Sequence, residues 1–168
     1  LTTPAPPGDA TGRTAEVYAQ LATDFGIGRA PAFVALSAAP DLLAAAWATL
    51  RESLLAGRVP RADKELVALG VSAANRCPFC VDAHTILLHA TGDHRLAETV
   101  ARGGTPGDPA QAALLAWGRA TAVPGAPAAA AHPFGPQDVP EFVGTALAFH
   151  FVNRMVSALL TEDLLPGG

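Results

Sequence analysis

Apolar residues recur along this chain at helical spacing, and Gly and Pro punctuate the runs. Between Thr11 and Phe25, the residues Val17, Tyr18, Leu21 and Phe25 share one helical face, and Gly26 and Gly28 end the run. Pro31 to Ser37 reads as a short helix. After Pro40, Asp41 opens a longer helix to about Leu55, with Leu42, Leu43, Ala46, Trp47, Leu50 and Leu54 on its apolar face and Gly57 beyond it. Pro60 starts the next. Asp63 and Glu65 lie in or near its first turns, where acids suit the helix dipole, and Leu66, Leu69 and Ala73 carry its apolar face to about Asn75.

A break at Asn75-Arg76 separates this helix from another. Pro favours the first helical position, so Pro78 puts Cys77 near the N-cap of a helix that runs to about Ala90 and closes at Gly92. His94 to Arg102 forms one more short helix. The Gly103-Gly104-Thr105-Pro106-Gly107 stretch is a breaker. Pro109 to Thr121 is helical by pattern, residues 122–136 read as a loop rich in Ala and Pro, and Gln137 to Leu160 makes a long final helix with Pro140 in its first turn.

Composition agrees with this reading. Of 168 residues, 50% are hydrophobic, and the apolar content is mainly Ala and Leu, strong helix formers. β-branched and aromatic residues are comparatively scarce, which argues against a large sheet. The expected class is all-α, a bundle of about seven to eight helices. The length suits one domain with a sizeable core. The expected organisation is a flexible arm over residues 1–10 and a single domain over 11–168. The chain starts at Leu1, which reads as a trimmed or partial start, and the Pro-rich arm lacks the basic and apolar regions of a signal peptide. The formal net charge is -4 with no basic block, so nucleic acid is excluded as an expected partner. His150, Asn153 and Arg154 interrupt the longest apolar region, Phe142 to Leu160, which makes it a buried helix rather than a membrane span. The expected compartment is the cytoplasm, where a dithiol can cycle.

The two cysteines stand as Cys77-Pro78-Phe79-Cys80. A bridge between them closes too small a loop to restrain the unfolded chain much, so chemistry explains the pair better than stapling. Cys80 and His84 are four residues apart, hence neighbours on one helix face. A free thiol with a pKa of about 8.5 is mostly protonated at neutral pH. The helix N-terminus offers Cys77 positive potential, and His84 can take a proton from Cys80. A carboxylate such as Glu65 orients an imidazole and stabilises its charged form, provided the two helices cross suitably. The same residues allow a zinc half-site, with Glu65 or His89 as a fourth ligand. No second CxxC pair exists, so a redox dithiol without metal or cofactor is the preferred reading.

The stretch RADKELVALGVSAANRCPFCVDAHTILLHATG resembles the alkylhydroperoxidase D-like branch of the carboxymuconolactone decarboxylase superfamily. That branch is marked by a Glu, eleven residues, CxxC, three residues and a His, and Glu65, Cys77, Cys80 and His84 fit every spacing. The ending FHFVNRMVSALL is similar to tails of longer relatives. The resemblance implies a helical fold that assembles as trimers or hexamers and a haem- and flavin-free peroxidase. It implies that Cys80 attacks the hydroperoxide, that Cys77 resolves, and that Glu65 and His84 relay protons. It also implies an external dithiol reductant, lipoyl or thioredoxin-like. One departure is Phe79, where the family's peroxidase pattern has a His. The helix-cap argument, moreover, favours Cys77 as the thiol of lower pKa.

Two further function classes fit parts of the chain: decarboxylase-type or lactone chemistry, and a non-enzymatic thiol redox sensor. His150, Asn153, Arg154 and Ser157 fall on one face of the last helix. They make a solvent face, a subunit contact or, with Phe79, the lining of a pocket near the thiols, where Arg154 is suited to an anionic substrate.

Overall fold

A computed structural model describes residues 3–160. The first two residues of the expected arm and residues 161–168 of the expected domain lie outside the described residues. Among the described residues there is no strand, and the chain is all-α as the residue pattern predicts. The helices are α1 (Gly12–Phe25), α2 (Pro31–Leu36), α3 (Pro40–Leu54), α4 (Arg61–Ala74), α5 (Pro78–Ala90), α6 (His94–Ala101), α7 (Pro109–Ala120), α8 (Pro127–Ala130) and α9 (Val139–Leu159). The four-residue α8 lies inside the segment expected as loop, and a 3-10 turn, Pro7–Asp9, lies inside the expected arm.

The described chain divides into two compact units, residues 3–51 with 156–160, and residues 52–155. In the first, Trp47 meets Phe25 and Phe33 edge to face, at ring-centroid distances of 5.6 and 6.2 Å, and its indole N–H donates to Gln20 Oε1 at 2.6 Å. The arm is tied at Ala5, whose N–H donates to Ser37 Oγ and whose carbonyl accepts from the Tyr18 hydroxyl.

The second unit is built around α4, buried at every position from Lys64 to Ser72. It packs against α7 and α5, and α6 packs on α5. The approach of α4 to α7 is close because two glycines face each other's backbones. A Cβ on Gly70 would stand 2.4 Å from Leu115 O, and one on Gly118 would stand 2.5 Å from Val67 O. Asp108 caps α7 by accepting from the N–H groups of Ala110 and Gln111, which supports Pro109 at the first helical position. Past α7, the indole N–H of Trp117 holds α8 through Ala129 O, and Phe134 stacks on Phe142.

A second polar contact ties α9 to the loop before α4. Glu141 accepts from the backbone N–H groups of Arg58 and Val59 and pairs with Lys64 Nζ at 2.7 Å; Lys64 also donates to Ala56 O. Lys64 is only 1% exposed, so a cation sits inside the unit and its acceptors make that burial tolerable. Gly57 bends the loop around the carboxylate with φ 100°, where any side chain would strike Glu141. Among the described residues, α9 is the one helix long and apolar enough to cross a membrane by length and composition. It nevertheless buries polar side chains: Thr145 donates to Ser53 O, and Asn153 is 1% exposed.

Candidate active site

Both cysteines sit at the α4–α5 junction, for reasons visible locally. Asn75 caps α4, and its N–H still bonds Val71 O. Arg76 then takes φ 56°, a left-handed turn that a non-glycine residue adopts at a cost of about 1 kcal/mol or more. Cys77 follows as the N-cap of α5, with extended φ −101° and ψ 89°, and its carbonyl accepts the first intrahelical bond, from Val81 N–H. Its own N–H returns to Ser72 O at 3.0 Å. Pro78 occupies the first helical position, as expected from its missing donor, and Cys80 lies in the first turn. The thiols are paired as a disulfide with Cα atoms 5.3 Å apart, and each cysteine is 3% exposed.

His84 lies one turn beyond Cys80, on the buried side of α5. Its Nδ1 meets Glu65 Oε2 at 2.7 Å, and Glu65 is fully buried in the first half of α4. The helix crossing that α4 and α5 require for this pairing is therefore made. Glu65 is held on its other oxygen too, where Arg61 Nε donates to Oε1 at 3.2 Å from the preceding turn. A buried carboxylate without such donors would be costly, and here one oxygen takes the imidazole and the other the guanidinium. Phe149 of α9 closes the far side, its ring edge-on to His84 at a centroid distance of 4.3 Å. This arrangement fixes the ring plane, and because Glu65 occupies Nδ1, Nε2 is the ring nitrogen that the carboxylate leaves open.

Spacing along the chain singles out Cys77, Cys80 and His84, and the family resemblance adds Glu65; neither points to Arg61 or Phe149. Arg61 had a usable signal, the i, i+4 relation to Glu65. Phe149 had none, because a Phe in an apolar helix is read as core. Phe79 is half-buried between the cysteines. The α9 stripe separates by environment. Asn153 is buried, His150 is half-buried, and Arg154 and Ser157 are exposed. Arg154 folds back along α9 to donate to His150 O at 2.7 Å.

His150 and Asn153 converge on the turn before Cys77. The Asn75 amide donates one hydrogen to His150 Nδ1 at 3.0 Å and the other to Asn153 Oδ1 at 2.9 Å. Asn153 Nδ2 donates in turn to Ser72 Oγ at 3.1 Å. The second ring nitrogen of His150 meets Thr121 Oγ1 at 3.0 Å, and that hydroxyl donates to Gly118 O. Burial lowers the pKa of His150, and the nearby Arg154 charge lowers it further.

The model of the carboxymuconolactone decarboxylase family matches residues 41–120, the stretch that contains Glu65, both cysteines and His84. Residues 41–120 of the chain belong to this family. Over 168 residues, 98% of its length, it is 49% identical to an alkyl hydroperoxide reductase of Mycobacterium tuberculosis (strain ATCC 25618 / H37Rv) and covers 47% of that protein. The chain thus spans about half the length of the curated relative it matches. Solved family-like folds superpose closely. The alkylhydroperoxidase core of an uncharacterised peroxidase-related protein from Ralstonia eutropha JMP134 aligns with TM-score 0.77 at 20% identity, over 98% of this chain and 93% of that one. A variant of the debrominase Bmp8, solved with 2,3,4-tribromopyrrole, aligns with TM-score 0.79 at 19% identity, over 95% and 89% of the two chains. At those identities the likeness establishes the helical fold.

Proposed function

We propose that this chain is a dithiol peroxidase that reduces hydroperoxides through Cys77 and Cys80, with His84 and Glu65 as its proton relay. The observation that carries this reading is the buried Glu65–His84 hydrogen bond between α4 and the helix that begins with the cysteine pair. A carboxylate-oriented imidazole one turn from a thiol, at a helix N-terminus, is an arrangement that raises the thiolate fraction. The likeness to an alkyl hydroperoxide reductase agrees with it.

The chemistry runs in three steps. Cys80 transfers its proton towards His84, and the thiolate attacks the terminal oxygen of the hydroperoxide. An S–O bond forms, the O–O bond breaks, and the departing alkoxide takes the proton back from the imidazolium. Cys77 then attacks the sulfenic sulfur, forming the disulfide and releasing water. Finally, an external dithiol of lipoyl or thioredoxin type reduces that disulfide by exchange and is itself oxidised. The Cys77–Cys80 disulfide corresponds to the state before this last step. In this reading Phe79, standing where relatives have a His, lines the approach to the thiols and moves no proton. The relay then has His84 as its one histidine, with Glu65 behind it.

The test counts thiols. The reduced chain is mixed with an excess of cumene hydroperoxide, and free thiols are followed in wild type and Cys80→Ser. Rapid loss of both thiols in wild type, with turnover once dihydrolipoamide is added, is expected. Thiols that survive the peroxide, or thiols masked by stoichiometric zinc, overturn the proposal.

A further inference from the structure

We propose that His150 and Asn153 of α9 are positioning residues that clamp the Cys77 turn and thereby set how readily the dithiol closes to a disulfide. The inference rests on the redox reading of the pair and assigns a role to a stretch of α9 that bonds the turn before Cys77.

The turn 75–77 is short and carries a left-handed Arg76, a conformation that persists only where its surroundings impose it. α9 holds Asn75 directly and reaches Cys77 through Ser72. Asn75 is fixed by two acceptors, His150 Nδ1 and Asn153 Oδ1. Ser72, whose carbonyl receives the Cys77 N–H, has its hydroxyl fixed by Asn153 Nδ2. The bonding directions are determined by chemistry. An amide nitrogen only donates, so His150 Nδ1 carries the lone pair and Nε2 carries the hydrogen. That hydrogen goes to Thr121 Oγ1, which can accept because its own hydrogen is spent on Gly118 O. The amide hydrogens of Asn75 are thus both used, and the chain of bonds joins the ends of α4 and α7 to α9. The groups meeting His150 from α4 and α7, Asn75 and Thr121, are neutral, and the charged neighbour is Arg154 on its own helix.

A part-buried network of this kind, with both Asn75 amide hydrogens spent, rigidifies what it holds, and it weakens as a unit when one acceptor is lost. With Cys77 held at its present distance from Cys80, the two sulfurs meet without searching. Released, the turn samples geometries in which they do not, and disulfide closure becomes less favourable.

The experiment measures the equilibrium between the dithiol and disulfide forms in dithiothreitol redox buffers, which needs no peroxide and is independent of peroxidase activity. His150→Leu removes the acceptor. Asn75→Asp replaces the donor without changing shape, and it serves also if the leucine variant does not fold. His150→Asn retains an acceptor near the Nδ1 position. We expect the equilibrium constant for disulfide formation to fall about tenfold, about 30 mV for a two-electron couple, in His150→Leu and Asn75→Asp, and to stay within about threefold of wild type in His150→Asn. After one equivalent of peroxide, the first two variants should also leave more sulfenic acid for dimedone to trap. An unchanged equilibrium in Asn75→Asp, or an equal shift in His150→Asn and the disrupting variants, overturns the clamp. Failure of the peroxidase reading alone leaves the equilibrium shift in place and abolishes only the dimedone signal.

Discussion

The carboxylate of Glu65 and the ring of His84 meet at 2.7 Å, although 19 positions separate them in the chain. Two helices, α4 and α5, bring them together, and the same junction carries both cysteines. Glu65→Gln retains the shape and one acceptor but loses the charge that steadies an imidazolium. The first thiol oxidation by an organic hydroperoxide is expected to slow about a hundredfold, the usual size of a general acid–base contribution. Stopped-flow measurement under pseudo-first-order conditions reads this directly, with circular dichroism to verify the fold.

Arg61 supplies the second partner of Glu65, at 3.2 Å. Arg61→Ala leaves one oxygen of a buried carboxylate without its charged donor. A loss of about 1–3 kcal/mol in unfolding free energy follows, read as a lower urea midpoint at unchanged slope. Arg61→Lys should recover little, since lysine has no donor where the Arg61 Nε–H meets Oε1.

Gly70 and Gly118 allow α4 and α7 to touch backbone to backbone. By propensity alone, Gly70→Ala would stabilise α4 by about 1 kcal/mol. The added Cβ would stand 2.4 Å from Leu115 O, so overpacking should win, with a net cost of about 1–3 kcal/mol. Thermal unfolding should show a drop in Tm of several degrees; a rise would mean that the helices separate at no cost.

Acid should weaken the fold through two groups with the same sign. Glu141 is held at a pKa of about 2 by Lys64 first, then by the Arg58 and Val59 amides, against an ordinary value of 4.5. Its contribution is fully present above about 4.5 and is lost as pH falls towards 2. His150 also has a lowered pKa, caused first by burial. Below its ordinary value of 6.5 the unfolded chain takes up a proton that the folded chain resists, so stability begins to fall there. Urea titrations from pH 8 to pH 3 should show a decline in two stages. His150→Asn should remove the upper stage, and Glu141→Gln the lower.

Much of this molecule is legible in one dimension. The helices begin and end within a few residues of where periodicity, Pro and Gly put them, because those signals are local. The Cys80–His84 neighbourhood is equally local, being one turn of one helix. Residues 122–136 illustrate the limit. Ala and Pro content announces a loop, yet Trp117 pulls a turn of helix, α8, onto the side of α7.

The α9 stripe shows the same limit more sharply. Spacing places His150, Asn153, Arg154 and Ser157 on one face but does not say what the face meets. Asn153 is buried and Arg154 one residue later is exposed, a division made by the α4 and α7 termini packed against one edge of α9.

The helical class, the placement of a CxxC pair at a helix start and the one-turn relation of Cys80 to His84 follow from the order of residues alone. Each depends on φ, ψ preferences and the 3.6-residue period, which act over a few residues. Only the tertiary structure decided that Glu65 reaches His84, that Arg61 shares that carboxylate, and that α9 grips the turn before Cys77. Those contacts depend on how helices far apart in the chain cross, and the crossings are set by close packing, here by two glycines and a set of buried polar bonds that no local pattern encodes.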